Sequence, residues 1–146
     1  MTQRATESIV VHAPPEVVYR VATDFEHYLD WVGELKKINV LERDAIGRPV
    51  EVEFRAAAFG RSTTYTLHYD YSRAPEILAW HQTRGDVTSS LNGEYRFAPS
   101  KEGTQLTYDL EVELSVPIPG VVRARAASRI QAQALRELKA QAEAAQ

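Results

Sequence analysis

Residues 104–120, TQLTYDLEVELSVPIPG, decide the fold of this chain. Up to Val116 the stretch alternates strictly between two faces. The apolar face carries Leu106, Tyr108, Leu110, Val112, Leu114 and Val116, and the polar face carries Gln105, Thr107, Asp109, Glu111, Glu113 and Ser115. This period of two predicts a β-strand with one face on a core and the other in water. Pro117 and Pro119 then end the strand.

The segment after Gly120 predicts one long C-terminal helix. It is built mainly from Ala, Arg, Gln, Glu and Leu, and neither Gly nor Pro interrupts it. A narrow apolar stripe recurs at helical spacing: Ala127, Ile130, Ala134 and Leu138. We expect this helix to begin near Gly120 and to run past Lys139.

Period-two patterns also fill the region between Gly33 and the last strand. The predicted strands are Leu35–Arg43, Pro49–Ala58, Ser62–Tyr71, Ile77–Thr83, Val87–Phe97 and Thr104–Val116. Short connections with Gly or Pro separate them, which favours antiparallel hairpins. In Val87–Phe97 the pattern places Leu91 and Tyr95 on the apolar face and Thr88 on the other, and the interior Gly93 indicates a bend or bulge.

The N-terminal part predicts one strand and two short helices. Thr6–His12 is rich in β-forming residues and ends at Pro14-Pro15, where a first helix begins. A second short helix is expected over Phe25–Val32. The prediction is an α+β fold in the order β-α-α-β6-α, forming one domain over 1–146. Its seven-stranded curved antiparallel sheet wraps around the long C-terminal helix.

Incomplete covering of the sheet by a single helix predicts a hollow between the two. A helix is only about 10–12 Å wide with its side chains, so one Ala-rich helix leaves part of a curved seven-stranded sheet uncovered. The candidate lining residues are Val52, Phe54, Tyr65, Leu67, Trp80, Leu91, Tyr95, Leu106, Tyr108, Leu110 and Ile130. The alternative is that these side chains form an ordinary core. The tyrosines favour the hollow, because buried hydroxyls need hydrogen-bond partners that a pocket supplies.

The four histidines give no clear metal or catalytic motif. They are His12, His27, His68 and His81, and none forms an HExxH motif. His27 lies among acidic residues, but helical geometry spreads these around the helix and favours a solvated polar face. His68 and His81 lie on predicted strands, where a surface position is the favoured interpretation and an acid or base role in the pocket is the alternative.

No other catalytic signature is present in the sequence. It contains no GxSxG elbow, no phosphate-binding glycine loop and no cysteine. A pocket of aliphatic groups and tyrosines lacks a base that removes a proton α to a carbonyl near neutral pH. We therefore predict a binding protein without metal or cofactor. The alternative is a polyketide aromatase/cyclase or dehydratase with tyrosine hydroxyls as weak acids.

Charge is distributed unevenly along the chain. The formal net charge is -3, which argues against DNA binding, yet the last helix begins with Arg123, Arg125 and Arg129 and no acidic residue. These arginines form either a solvated face or a transient contact with an anionic surface, which defines a third hypothesis, a macromolecule-interacting module. The sequence has neither a signal-peptide pattern nor a transmembrane stretch, so we expect a cytoplasmic protein.

Several motifs together resemble those of the START-like (SRPBCC) superfamily with its helix-grip fold, in its bacterial polyketide cyclase/dehydrase-type and coenzyme Q-binding-type branch. The motifs are APPEVVY at 13–19, DFEHYLDW at 24–31, LNGEYRFAP at 91–99, GTQLTY at 103–108 and PIPG at 117–120. The resemblance implies a cavity that holds a lipid, quinone, polyketide or similar molecule. The resemblance is specific for the fold but not for the function, since some members of such a family catalyse reactions and others only bind.

Overall fold

One antiparallel sheet and one long helix dominate the structure, a computed structural model that describes residues 2–58 and 60–146. The sheet order is β1-β7-β6-β5-β4-β3-β2. The strands are β1 (Gln3–Val11), β2 (Leu35–Arg43), β3 (Pro49–Ala58), β4 (Arg61–Asp70), β5 (Ile77–Gly85), β6 (Thr88–Ser100) and β7 (Gly103–Leu114). The helices are α1 (Pro15–Thr23), a 3-10 helix (Phe25–Asp30) and α2 (Gly120–Ala144). The predicted helix-grip architecture and element order are confirmed.

Helix α2 is fixed to the N-terminal edge of the sheet by polar contacts. Gln131, which is fully buried, donates through its side-chain amide to the carbonyl oxygens of Ala5 (2.7 Å) and Tyr108 (2.8 Å). Further along the helix, the Lys139 ammonium donates to the Val10 carbonyl at 2.7 Å. The helix therefore covers β1 and β7 closely and leaves the middle of the sheet free.

The apolar face of α2 is wider than the predicted stripe. Besides Ala127 and Leu138, the helix buries Ala126, Leu135 and Ala142. Ile130 and Ala134 are only half-buried. The buried side chains pack on the sheet and α1, whereas Ile130 and Ala134 face the space described below.

The second short helix is present as a 3-10 helix that ends at Asp30, two residues before the predicted end at Val32. One local prediction is wrong. Thr88 lies on the concave side of the sheet together with Leu91, because the register between β6 and β7 shifts between Thr88 and Ser90. This irregularity reverses the alternation of side chains between the two faces of the sheet, whereas the prediction carried that alternation unchanged through the strand.

The pairing of β6 with β7 contains no bulge at Gly93. The register between β6 and β7 is continuous from Leu91 to Ser100. A Cβ atom at position 93 would lie 2.5 Å from the Asp109 carbonyl oxygen and 2.9 Å from Cζ2 of Trp80. Glycine is required because the indole of Trp80 packs directly against the strand backbone.

Candidate functional site: a cavity between the sheet and the C-terminal helix

A cavity of about 940 Å³ lies between the concave face of the sheet, α2 and the loop that follows the 3-10 helix. Its deep wall is aromatic and aliphatic, whereas the wall residues that are exposed lie together at one end. These exposed residues are Glu34, Gly60, Arg61, Ser62, Pro119 and Arg129. The cavity therefore opens between the β3–β4 hairpin, the loop before β2 and the first half of α2.

Aromatic rings form the deep wall around Trp80. Its ring centroid lies 5.2 Å from that of Tyr95, 5.6 Å from that of Tyr108 and 6.0 Å from that of Tyr69. The Tyr95 and Tyr108 rings are 4.6 Å apart. Offset and tilted pairs of this kind are the favourable arrangement for aromatic rings. They give the cavity an aromatic wall whose rings are inclined to one another by 47° to 62°.

Four tyrosine hydroxyls on this wall have no hydrogen-bond partner within residues 2–58 and 60–146. They belong to Tyr65, Tyr69, Tyr95 and Tyr108. Burial raises the pKa of Tyr65 to about 12 and raises the pKa of the other three further above the ordinary value. These four side chains are therefore neutral hydrogen-bonding groups directed into an apolar space.

Two other tyrosines illustrate the contrast. The Tyr28 hydroxyl donates to the carbonyl oxygen of Ala22, and the Tyr71 hydroxyl donates to that of Pro49 at 2.5 Å. Tyr28 contributes its ring to the cavity wall, whereas Tyr71 lies outside it. The hydroxyls of Tyr28 and Tyr71 thus stabilise the scaffold, whereas those of Tyr65, Tyr69, Tyr95 and Tyr108 are available to a molecule in the cavity.

Charged side chains also reach the cavity wall, which the sequence analysis did not predict. Glu34 and Arg61 lie at the mouth, and Arg129 and Glu137 lie on α2. Glu137 is half-buried and accepts a hydrogen bond from the Gly33 backbone N–H at 2.9 Å. The cavity is therefore not a purely neutral pocket of aliphatic groups and tyrosines, and it contains carboxylates that can accept a proton.

The structure brings together eight of the eleven candidate lining residues. Those on the cavity wall are Phe54, Tyr65, Leu67, Trp80, Leu91, Tyr95, Tyr108 and Ile130. Val52, Leu106 and Leu110 do not line the cavity and belong to the closed core. Leu106 pairs across the strands with Ile9 at the end of the sheet near α1, and Leu110 pairs with Ala5, where Gln131 holds α2 against the sheet.

Some wall residues were missed although the pattern contained the signal. Tyr69 is in phase with Leu67 along β4, and Leu78 is in phase with Trp80 along β5, so alternation alone assigns both to the concave face. No sequence signal identified Glu137, because its position depends on how α2 rotates over the sheet. Trp31 lies on the wall through the loop rather than through a helix.

His68 and His81 lie outside the cavity. They are neighbours across β4 and β5, with ring centroids 5.1 Å apart, on a shallow outer groove. His68 contacts the Glu51 carboxylate through Nδ1 at 2.8 Å. Neither imidazole is placed to act as acid or base on a molecule in the cavity.

The remaining candidate residues lie on the surface. His27 contacts Asp24 through Nδ1 at 2.7 Å, and this contact raises its pKa. Across residues 2–58 and 60–146, no three His, Asp or Glu side chains lie close enough to hold a metal ion. Arg125 and Arg129 are exposed on α2, whereas the side chain of Arg123 lies outside the described part of the chain. In the same described part, no helix is long and apolar enough to cross a membrane.

The fold and the enclosed space define a helix-grip protein with an internal cavity. Residues 2–143 match the family described as "Polyketide cyclase / dehydrase and lipid transport", and the chain belongs to this family. The resemblance stated above to the polyketide cyclase/dehydrase-type branch is thereby confirmed.

Solved structures of other proteins share this fold. A START superfamily protein from Mycobacterium smegmatis superposes with a TM-score of 0.88 at 24% identity, over 96% of this chain and 97% of the other. The Zhui aromatase/cyclase from Streptomyces sp. R1128 superposes with a TM-score of 0.83 at 20% identity, over 98% and 94%. The protein TTHA0849 from Thermus thermophilus superposes with a TM-score of 0.79 at 25% identity, over 99% of both chains.

Proposed function

We propose that this protein binds a hydrophobic small molecule in the cavity and that its preferred ligands are planar rings bearing several oxygen atoms. The observation that carries the proposal is the cavity itself, about 940 Å³ of aromatic-walled space with four unpartnered tyrosine hydroxyls. Small-molecule sites are typically concave, mostly apolar and about 300–1,000 Å³ in volume, with a few placed polar groups. The cavity combines all of these properties.

The hydroxyls favour an oxygenated ring over a plain acyl chain. The Tyr95 and Tyr108 hydroxyls have no protein partner among the described residues, so each can donate a hydrogen bond to a ligand oxygen in the cavity. An acyl chain fills the apolar volume but leaves the hydroxyls unpaired. The inclined rings around Trp80 also offer aromatic faces and edges against which the rings of a ligand can pack.

The relatives support the same class of ligand. The family description names both polyketide chemistry and lipid transport, and the Zhui protein is named as an aromatase/cyclase. Polyketide-like, quinone-like and lipid molecules are therefore the ligands we propose to test, with the oxygenated rings expected to bind more tightly.

Intrinsic fluorescence provides a direct test, because Trp31 and Trp80 are the two tryptophans of the chain and both line the cavity. Titration with flavone, a planar oxygenated ring system, should quench this fluorescence saturably, and palmitate should bind more weakly. Native mass spectrometry of the protein as purified should show a co-purified small molecule. Absence of saturable binding by either probe would contradict the proposal.

A second candidate function is catalysis, as a polyketide aromatase/cyclase or dehydratase. The observation that favours it is the presence of Glu34 and Glu137 on the cavity wall, since a carboxylate is a proton acceptor that tyrosines cannot replace. Incubation with a reactive poly-β-ketone analogue distinguishes the two functions. Cyclised product formed by the parent and lost in Glu137→Gln would establish catalysis, whereas binding without turnover supports a carrier.

The cavity mouth also suggests how ligand is delivered. Arg61, Arg125 and Arg129 are exposed at or near the mouth, together with the apolar Val121 at 63% exposure. We propose a transient contact between this surface and an anionic membrane. Flotation with anionic vesicles, compared with neutral vesicles, tests it; Arg125→Glu should weaken the contact, and equal binding to both vesicles would contradict it.

A further inference from the structure

Glu137 is a carboxylate held at a fixed place on an otherwise mainly apolar wall. Its Oε2 accepts the Gly33 backbone N–H at 2.9 Å, which joins α2 to the loop before β2. The side chain is half-buried and forms no ion pair with any residue in the described part of the chain. A half-buried carboxylate with one oxygen committed to a backbone amide presents its other oxygen, Oε1, as a free acceptor.

The surroundings of Glu137 determine which ligand groups Oε1 can bind. Gln133 and Arg129 lie one and two turns earlier on the same side of α2, so that the arginine is about 12 Å away along the helix axis. On the sheet side, burial is the first cause that raises the pKa of Tyr95, and the negative charge of Glu137 is a further cause. The Glu137 carboxylate is therefore two helical turns from Arg129, is held beside the loop before β2, and acts electrostatically on the Tyr95 hydroxyl.

We propose that Glu137 Oε1 accepts a hydrogen bond from a hydroxyl group of the bound molecule, so that the cavity selects phenols among planar aromatic ligands. This inference rests on the proposed ligand-binding function and deepens it by naming the group that is recognised. A ligand carboxylate at the same place is disfavoured, because it would meet a second negative charge. A ring without a donor leaves the carboxylate with reduced hydration and without a partner.

A matched pair of probes tests the inference. The probes are 6-hydroxyflavone, which carries a phenolic donor, and 6-methoxyflavone, which has the same ring system without the donor. Isothermal titration calorimetry should give the wild-type protein about tenfold higher affinity for the hydroxyl probe, since the hydrogen bond is made to a charged acceptor.

The variant Glu137→Gln should remove or invert this preference. Its single amide oxygen retains the Gly33 contact, so that the amide NH₂ group faces the ligand and offers a donor where the phenol needs an acceptor. Glu143→Gln is the control, because Glu143 is also a half-buried carboxylate of α2 that accepts a backbone N–H, that of His12 at 2.9 Å, and it does not line the cavity. It should keep the wild-type preference.

The outcomes distinguish failure of the proposed ligand-binding function from failure of the role proposed for Glu137. If neither probe binds the wild-type protein, the proposed function itself is wrong. If both probes bind but the hydroxyl gives no advantage, or if Glu137→Gln retains the advantage, ligand binding stands and the role of Glu137 is refuted. Loss of the preference in Glu143→Gln alone would also refute it.

Discussion

The indole of Trp80 rests against the backbone of Gly93, where an added Cβ would stand 2.9 Å from Cζ2 of the ring. This contact sets the depth of the cavity, because Trp80 is the ring around which Tyr69, Tyr95 and Tyr108 are arranged. Gly93 of β6, which has no side chain, thus determines the shape of a cavity wall formed largely by side chains of other strands.

Replacing Gly93 by alanine should displace Trp80. The new Cβ also meets the Asp109 carbonyl at 2.5 Å, and backbone yields less than a side chain, so we expect a loss of about 1–3 kcal/mol in the free energy of unfolding. Urea denaturation measures the loss, and tryptophan emission should shift. Gly120→Ala is the control, since nothing lies within 4 Å of its added Cβ. Equal stability of Gly93→Ala and wild type would refute the packing argument.

Tyr108→Phe should change ligand affinity without changing stability. The Tyr108 hydroxyl has no partner within the described residues, so its removal leaves the folded protein intact while flavone loses a donor. Tyr71→Phe should do the reverse, because the Tyr71 hydroxyl donates to Pro49 outside the cavity. Thermal unfolding measures the stability of each variant, and flavone titration measures its affinity for the ligand. A destabilised Tyr108→Phe with unchanged binding would mean that this hydroxyl is structural.

Gln131→Ala should destabilise the protein by about 2 kcal/mol or more, since it removes two buried hydrogen bonds to Ala5 and Tyr108 and leaves a void. Gln133→Ala, on the cavity wall two positions later, is the matched control and should cost far less. Chemical denaturation of the two variants provides the comparison. Similar losses for both would contradict the claim that Gln131 fixes α2 to the sheet.

High pH should unfold the protein through its cavity tyrosines. The pKa of Tyr65 is raised to about 12 in the folded state, against about 10 for an exposed tyrosine. Because the folded pKa is the higher one, the stabilisation is complete below about pH 10 and is lost as the pH rises towards 12. Tyrosinate absorbance and circular dichroism should therefore change together in this window. Ionisation of all seven tyrosines below it, with the fold retained, would contradict the buried environment.

The sequence was sufficient for the fold because its signals are local and repetitive. Strict alternation along β7 and the uninterrupted helix formers after Gly120 each identify an element without reference to its neighbours. The prediction failed at Thr88, where a register shift between two strands inverted the pattern. Such a shift depends on pairing across the sheet and leaves no mark in a single strand.

The candidate site was predictable only in part, for a related reason. Phe54, Tyr65 and Trp80 were identified because alternation determines which face of the sheet they occupy. Val52 and Leu106 have the same alternation but lie in the closed core, since alternation does not show which parts of the concave face are covered and which border a cavity. Glu137 was missed because the rotation of α2 depends on tertiary contacts such as those of Gln131.

The most direct test of the central claim is to fill the cavity. Ala134 lies half-buried on the cavity wall, and Ala132 lies exposed on the same helix two residues earlier. Isothermal titration calorimetry with flavone should show saturable binding to the wild-type protein and to Ala132→Trp, and no detectable binding to a folded Ala134→Trp variant. Undiminished binding of flavone to Ala134→Trp would contradict the account, because the ligand would then lie outside the cavity.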